Sequence, residues 1–162
     1  MKRILLNIFF VLGFAAMVLG QTQVGSKIFG DGQLDEFGTG VSLSANGDTV
    51  AVGAMDWYNT QGPGYVKVLY NNSGTWTQIG SNIVLGSNGD RFGQVVELSA
   101  SGKRVAIGSD DEVSVYEWNN SSTSWVRMAS FSGVGISQLG SRNQTCMAFS
   151  ADGNSLIVGD PE

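Results

Sequence analysis

FGTGVSLSANGDTVAVGA, residues 37–54, returns fifty-five residues later as FGQVVELSASGKRVAIGS, residues 92–109, with ten of the eighteen positions identical. A third copy, TCMAFSADGNSLIVGD at 145–160, keeps the Ser-Ala-x-Gly turn and the apolar run after it, but has Asn143-Gln144 where the earlier copies have Phe-Gly. Self-similarity at this period predicts an array of supersecondary units, none of which buries its own faces alone.

Within the first copy, residues 37–44 alternate, with Val41 and Leu43 on one side, and Asn46-Gly47 supplies the positive-φ pair of a tight two-residue hairpin. The return run 49–53 points Val50 and Val52 one way and the small Ala51 and Gly53 the other, the pattern of a strand covered on both faces. Residues 65–70 alternate again through Val66, Val68 and Tyr70, and Asn71-Asn72-Ser73-Gly74 turns the chain into a fourth strand at 76–79. The second copy follows with strands at 92–99, 104–108, 113–118 and 125–128. The fold class expected is therefore all-β, a partial β-propeller of four-stranded antiparallel blades: blade 1 about 37–80, blade 2 about 92–128 and a partial blade 3 about 143–162.

Phe-Gly opening a strand, a Gly-bearing hairpin, then Val-Ala-Val-Gly-Ala or Val-Ala-Ile-Gly-Ser, resembles the FG-GAP repeat of integrin-α-type β-propellers over nearly all of residues 21–162. The likeness departs at the proline of "GAP", since the copies read Gly53-Ala54-Met55, Gly108-Ser109-Asp110 and Gly159-Asp160-Pro161. It departs again at the first hairpin, where integrin-like blades often carry a calcium loop. The loops here, 45–48, 100–103 and 151–154, offer too few oxygens for an ion that takes about six to eight. Metal binding is therefore not carried over, and no cofactor is expected. A WD-repeat propeller also uses a Ser-x-Asp-Gly hairpin, but its histidine and Trp-Asp signals are absent.

Residues 1–20 read as a signal peptide: Lys2-Arg3, an apolar stretch from Ile4, then Val18-Leu19-Gly20 as a small-residue cleavage site. An uncleaved anchor is the alternative, although the segment is short for a bilayer about 30 Å thick. Secretion to the extracellular space is thus expected, with no stable membrane span after cleavage. A net charge of -5 without a basic cluster argues against nucleic acid as a partner. Thr22-Gln23-Val24-Gly25-Ser26 matches Thr77-Gln78-Ile79-Gly80-Ser81, the end of a fourth strand, so the mature chain starts on the outer strand of a blade. It then counts two full blades and half of another, short of the roughly four that close a ring. A fragment, a self-associating array with open blade edges, or an open array are the three readings.

The chain has no histidine, and its lone Cys146 sits in an apolar run as a buried thiol, so the common nucleophile–base pairs and Cys/His zinc sites are missing and no enzyme is expected. Asp110-Asp111-Glu112 reads as a solvated tight turn. Asp31, Gln33 and Asp35 recur as Asn88 and Asp90 in the next copy, and Asp35 and Asp90, two residues before each Phe-Gly, are expected to bond the turn backbone. Trp57 and Tyr58, in the longest loop, are the binding candidates for a protein or glycan partner, with folding back over the blade edge as the alternative. Trp76, Trp118 and Trp125 are expected to pack within or between blades, and Phe37 and Phe92 in the core. Asn71, Asn119, Asn120 and Asn143 open glycosylation sequons if the host is a eukaryote. The expected function is a secreted protein- or glycan-interaction or adhesion module. The alternatives are the N-terminal part of a larger exported enzyme or adhesin, and a fragment without independent function.

Overall fold

The computed structural model describes residues 22–55, 63–85, 90–110, 112–133 and 146–159. Among these every regular element is a strand, and no helix is long and apolar enough to cross a membrane. The first sheet runs β1 (Phe37–Leu43), β2 (Thr49–Ala54), β3 (Tyr65–Asn72) and β4 (Thr75–Gln78) in spatial order, and β5 (Ile83–Val84) joins the same edge of β3 beyond β4. The second orders β6 (Val95–Leu98), β7 (Arg104–Gly108), β8 (Glu112–Asn119) and β9 (Ser124–Ser132) likewise. The third is the hairpin of β10 (Cys146–Phe149) and β11 (Leu156–Gly159). All pairings are antiparallel, and the fold is a partial β-propeller of four-stranded blades.

The outer edge is built two ways. In the first sheet the chain leaves β3 after Gln78 and rejoins as β5, whereas in the second β9 stays paired along all of β8 by taking a bulge opposite Val115–Tyr116. The sequence pattern anticipates neither β5, which is only two residues long, nor the length of β9, whose residues 126–132 are exposed and show no alternation.

Alternation on the inner strands decides how blades stack. Ala51, Val66, Val68 and Ile83 on the forward face of the first sheet pack against Phe92, Val96, Leu98, Val105, Ile107 and Tyr116 on the back face of the second. The second sheet repeats the arrangement, with Ala106, Val113 and Val115 meeting Met147, Phe149, Leu156 and Val158. On β2 and β7 the small residues, Ala51, Gly53, Ala106 and Gly108, face forward and the large ones back. The fit is tightest at Gly53, where a Cβ would fall 1.9 Å from the Gly93 carbonyl oxygen, and at Gly64, where it would fall 2.1 Å from that of Phe92. The Phe-Gly of one blade thus rests on the glycine of the Val-Ala-Val-Gly run of the blade before it.

The Ser-Ala-x-Gly hairpins correct one expectation. They are four-residue loops, not two-residue turns: the Ser44, Ser99 and Ser150 N–H groups donate to the carbonyls of Thr49, Arg104 and Ser155, five residues on, at 2.9 Å each. Only the glycine takes positive φ, at 74°, 70° and 70° for Gly47, Gly102 and Gly153. Asn46 stays out of that region because its side chain serves as acceptor, taking the Asp48 N–H at 3.1 Å and the Ser44 hydroxyl at 2.8 Å. Asp152 does the same in the third copy, with Ser150 Oγ at 2.5 Å and Asn154 N at 3.0 Å, and these bonds, the hydroxyl first, hold its carboxyl below the ordinary value.

Residues 22–36 repeat the role of 77–85 and 90–91. Trp76 Nε1 donates to the Val24 carbonyl at 3.1 Å as Trp125 Nε1 donates to that of Ile79 at 3.0 Å, and Ile28 packs on Val50, Val52 and Leu69. The Thr22–Val24 stretch, which matches the end of a fourth strand by sequence, lies against Trp76 of β4 and is not itself a strand.

Candidate functional site

Strand direction gathers the variable segments at one end of the blades. β1 starts at Phe37, paired with Ala54 at the end of β2, and Ala54 pairs with Tyr65 at the start of β3. The connector before β1, the loop between β2 and β3 and the connector before β6 therefore all leave from that end. The Ser-Ala-x-Gly hairpins and the β3–β4 and β8–β9 turns lie at the other, where Asn71 N donates to the Asp48 carbonyl and Trp118 N to that of Lys103.

At the connector end of the first blade, Lys67 lies buried on the back face of β3 opposite Val52. A buried ammonium needs a partner. Its Nζ donates to Asp31 Oδ1 at 2.5 Å and lies 5.5 Å from the ring centre of Phe37 and 5.7 Å from that of Tyr65. The Lys67 bond first, then the Asn82 amide at 2.7 Å, holds the Asp31 carboxyl below its ordinary value. Asp35 is buried beside it and accepts the Tyr65 hydroxyl at 2.5 Å, Gly32 N at 3.0 Å and Phe37 N at 3.2 Å. Burial raises that carboxyl, but these donors outweigh it, so it too lies below its ordinary value. Burial and the Asp35 bond push the Tyr65 phenol well up, keeping it a proton donor.

The second blade fills the same place with different chemistry. Glu112 and Ser114 stand where Tyr65 and Lys67 do. Ser114 Oγ donates to Glu112 Oε1 at 2.7 Å, Arg127 donates to the same oxygen at 2.6 Å, and Arg91 pairs with Asp110. The tight turn expected here is present, Ser109 N donating to the Glu112 carbonyl at 2.9 Å, but Asp110 and Glu112 are taken up by arginines and are not simply solvated. The expected turn bonds form: Asp35 and Asp90 each accept the N–H of the following phenylalanine, at 3.2 and 3.3 Å.

Phe92 is fully buried, while Phe37 is half-buried and stacks on Tyr65 at 6.2 Å between ring centres. Trp125 packs against the core between the blades and sits 5.5 Å from Trp118. Asn71, half-exposed, accepts Gly74 N at 2.7 Å, and Asn119 and Asn120 are exposed in the β8–β9 turn, so these three sequons share the hairpin end. Trp57, Tyr58, Asn88, Asp111, Asn143, the Cys146 side chain and residues 1–20 lie outside the described residues. Lys67, Tyr65 and Asn82 escape the sequence reading. The signal for Lys67 was a lone charge between Val66 and Val68 in a strand read as alternating.

This polar cluster is a latch: it ties the connector to the blade. Among the described residues no set of acidic, cysteine or histidine side chains is grouped to hold a metal. A cleft of about 160 Å³ between Ile28 and Trp76 is smaller than the roughly 300 Å³ at which ligand pockets begin.

No family model and no curated protein matches the chain. Among solved structures it is similar to the crystal structure of Saccharomyces cerevisiae Sqt1, a β-propeller, with a TM-score of 0.50 and 12% identity over 86% of this chain. The match covers 39% of Sqt1, so the chain spans well under half of that structure's length. The likeness is one of fold.

Proposed function

We propose that the chain is a secreted, non-enzymatic propeller segment of FG-GAP type that engages a protein or glycan through the loops at the connector end of its blades. The observation that carries this reading is the division of the molecule. The Ser-Ala-x-Gly hairpins repeat from copy to copy, down to the serine and glycine bonds, whereas at the connector end, around the shared Asp35 and Asp90, Asp31, Tyr65 and Lys67 of one blade give way to Arg91, Asp110 and Glu112 in the next. Scaffold positions repeat and recognition positions diverge. Trp57 and Tyr58 belong to the segment between β2 and β3, which leaves from that end, and would supply rigid aromatic contacts, and glycans on Asn71, Asn119 and Asn120 would decorate the opposite end. A glycan array and a pull-down with the parent, Trp57→Ala and Tyr58→Ala test the reading. Binding lost in either variant supports it, and binding unchanged in both removes that loop.

A further inference from the structure

Asn71 and Trp76 face each other across the β3–β4 ladder. Further along it the Ile79 N–H donates to the Val68 carbonyl, so by alternation Asn71 and Trp76 form the kind of pair without mutual hydrogen bonds, in which side chains stand closest. The second blade has Trp118 and Trp125 in the same two places, with ring centres 5.5 Å apart. One member of the pair has thus changed from an indole to an asparagine, and that asparagine opens the sequon Asn71-Asn72-Ser73.

The exchange leaves a space. In the second blade a Cβ on Gly80 would fall 2.8 Å from Trp118 Cζ3 and 3.5 Å from Trp125 Cδ1, so the Trp118 ring closes over the connector. In the first, a Cβ on the matching Gly25 would meet the Gly74 carbonyl oxygen at 2.6 Å and Trp76 Cδ1 at 2.9 Å, and Asn71 stands where the second ring would be. The cleft of about 160 Å³ lies here, walled by Ser26, Lys27, Ile28, Leu69, Thr75 and Trp76. It is not a face awaiting another blade: in the second blade, which has a sheet behind it, the groups over Gly80 are Trp118 and Trp125 of that same blade. Small for a free ligand, the cleft suits a tethered group, whose effective concentration is set by its attachment. Asn71 Oδ1 accepts the Gly74 N–H at 2.7 Å, which fixes the carboxamide, and its nitrogen has no partner among the described residues.

We propose that the first N-acetylglucosamine of a glycan on Asn71 lies against Trp76 and seats its acetamido group in this cleft, filling in the first blade the place Trp118 fills in the second. Attachment joins Asn71 Nδ2 to the anomeric carbon of a lipid-diphosphate-linked oligosaccharide. The bond from that carbon to the diphosphate oxygen breaks, the lipid diphosphate leaves, and the amide gives up one proton. One face of the sugar carries C–H groups, which the apolar face of the Trp76 indole covers, while Ser26, Lys27 and Thr75 offer donors to its hydroxyl and acetamido oxygens. The inference rests on the reading of the chain as exported and glycosylated on Asn71, and it makes that glycan part of the blade.

The test uses the full chain secreted from a eukaryotic cell line and trimmed by an endoglycosidase to a single N-acetylglucosamine. Ser121→Ala, Ser122→Ala and Thr145→Ala silence the other three sequons while keeping their asparagines. Peptide mass spectrometry reads occupancy, and an unmodified Asn71 in the secreted protein overturns the glycosylation reading and this inference together. With Asn71 occupied, proton NMR reads the docking: the sugar and acetyl protons should shift upfield in the folded protein, under the Trp76 ring current, and return to free-sugar values in urea. The glycosylated protein should also melt about 2–4 °C above Ser73→Ala, which breaks the sequon without touching Asn71 or Trp76, the shift of one aromatic stacking contact in a chain this long. Sugar protons at free values in the folded protein, or equal melting with and without the sugar, overturn the docking and leave glycosylation of Asn71 standing.

Discussion

Leu43 and Leu98 occupy one position in two successive sheets, each two residues after a valine and directly before Ser-Ala-x-Gly, and end in opposite environments, one in solvent and one in the core. Local sequence does not separate them; the presence of a blade behind the second and not behind the first does. In such an array burial belongs to the interface between units, and a residue acquires its energetic role from the neighbour it is given.

The glycines give that comparison its sharpest test. Gly93→Ala pushes a methyl group into the Tyr65 carbonyl and holds alanine at φ 93°, whereas Gly38→Ala meets the same backbone conformation in open space. Gly93→Ala should cost more than about 3 kcal/mol and Gly38→Ala about 1–2 kcal/mol, the conformational part alone. Urea unfolding reads the difference as the contribution of the blade contact, and equal losses would mean that the close approach of Gly53 and Gly93 is absent in solution. Leucine truncation follows at smaller scale. Leu98→Ala opens a cavity and should cost about 3 kcal/mol. Leu43→Ala in dilute protein should change stability by less than about 0.5 kcal/mol.

Much of the scaffold is written in the alternation of inner strands. Val50, Val52, Ala51 and Gly53 declare both which face is which and that both faces are covered, because the small residues alternate with the large ones. The glycine hairpins were visible as turns, but their length was not: Asn-Gly also suits a two-residue turn, and only the serine hydroxyl bonding five residues ahead selects the longer loop. The latch was less legible. Asp35 could be placed by its spacing from Phe-Gly, yet its Tyr65 partner comes from thirty residues away and is fixed by β3 pairing with β2. A side chain that meets its partner through sheet register leaves no local pattern to find.

The latch carries the smallest expected effect, and pH is the way to see it. The Asp35 carboxyl titrates below its ordinary value of 3.8 in the folded chain, so it contributes stability at neutral pH. That contribution is complete above the unfolded value and is lost as pH falls below 3.8 through the folded value. Asp35→Asn removes the proton linkage and weakens the Tyr65, Gly32 and Phe37 bonds, so it should cost about 1–2 kcal/mol at neutral pH. The gap between variant and parent should then close as acid protonates the parent's carboxylate, giving Asp35→Asn a flatter acid limb in thermal melts taken between neutrality and strong acid. Asp31 is also held low, by Lys67 and Asn82, but its side chain is 56% exposed, so solvent screens the pair and Asp31→Asn should flatten the limb less. An acid limb as steep in Asp35→Asn as in the parent would mean that the carboxylate does not bind the connector to β3, and the first blade would then hold its N-terminal segment through Asp31, Ile28 and Trp76.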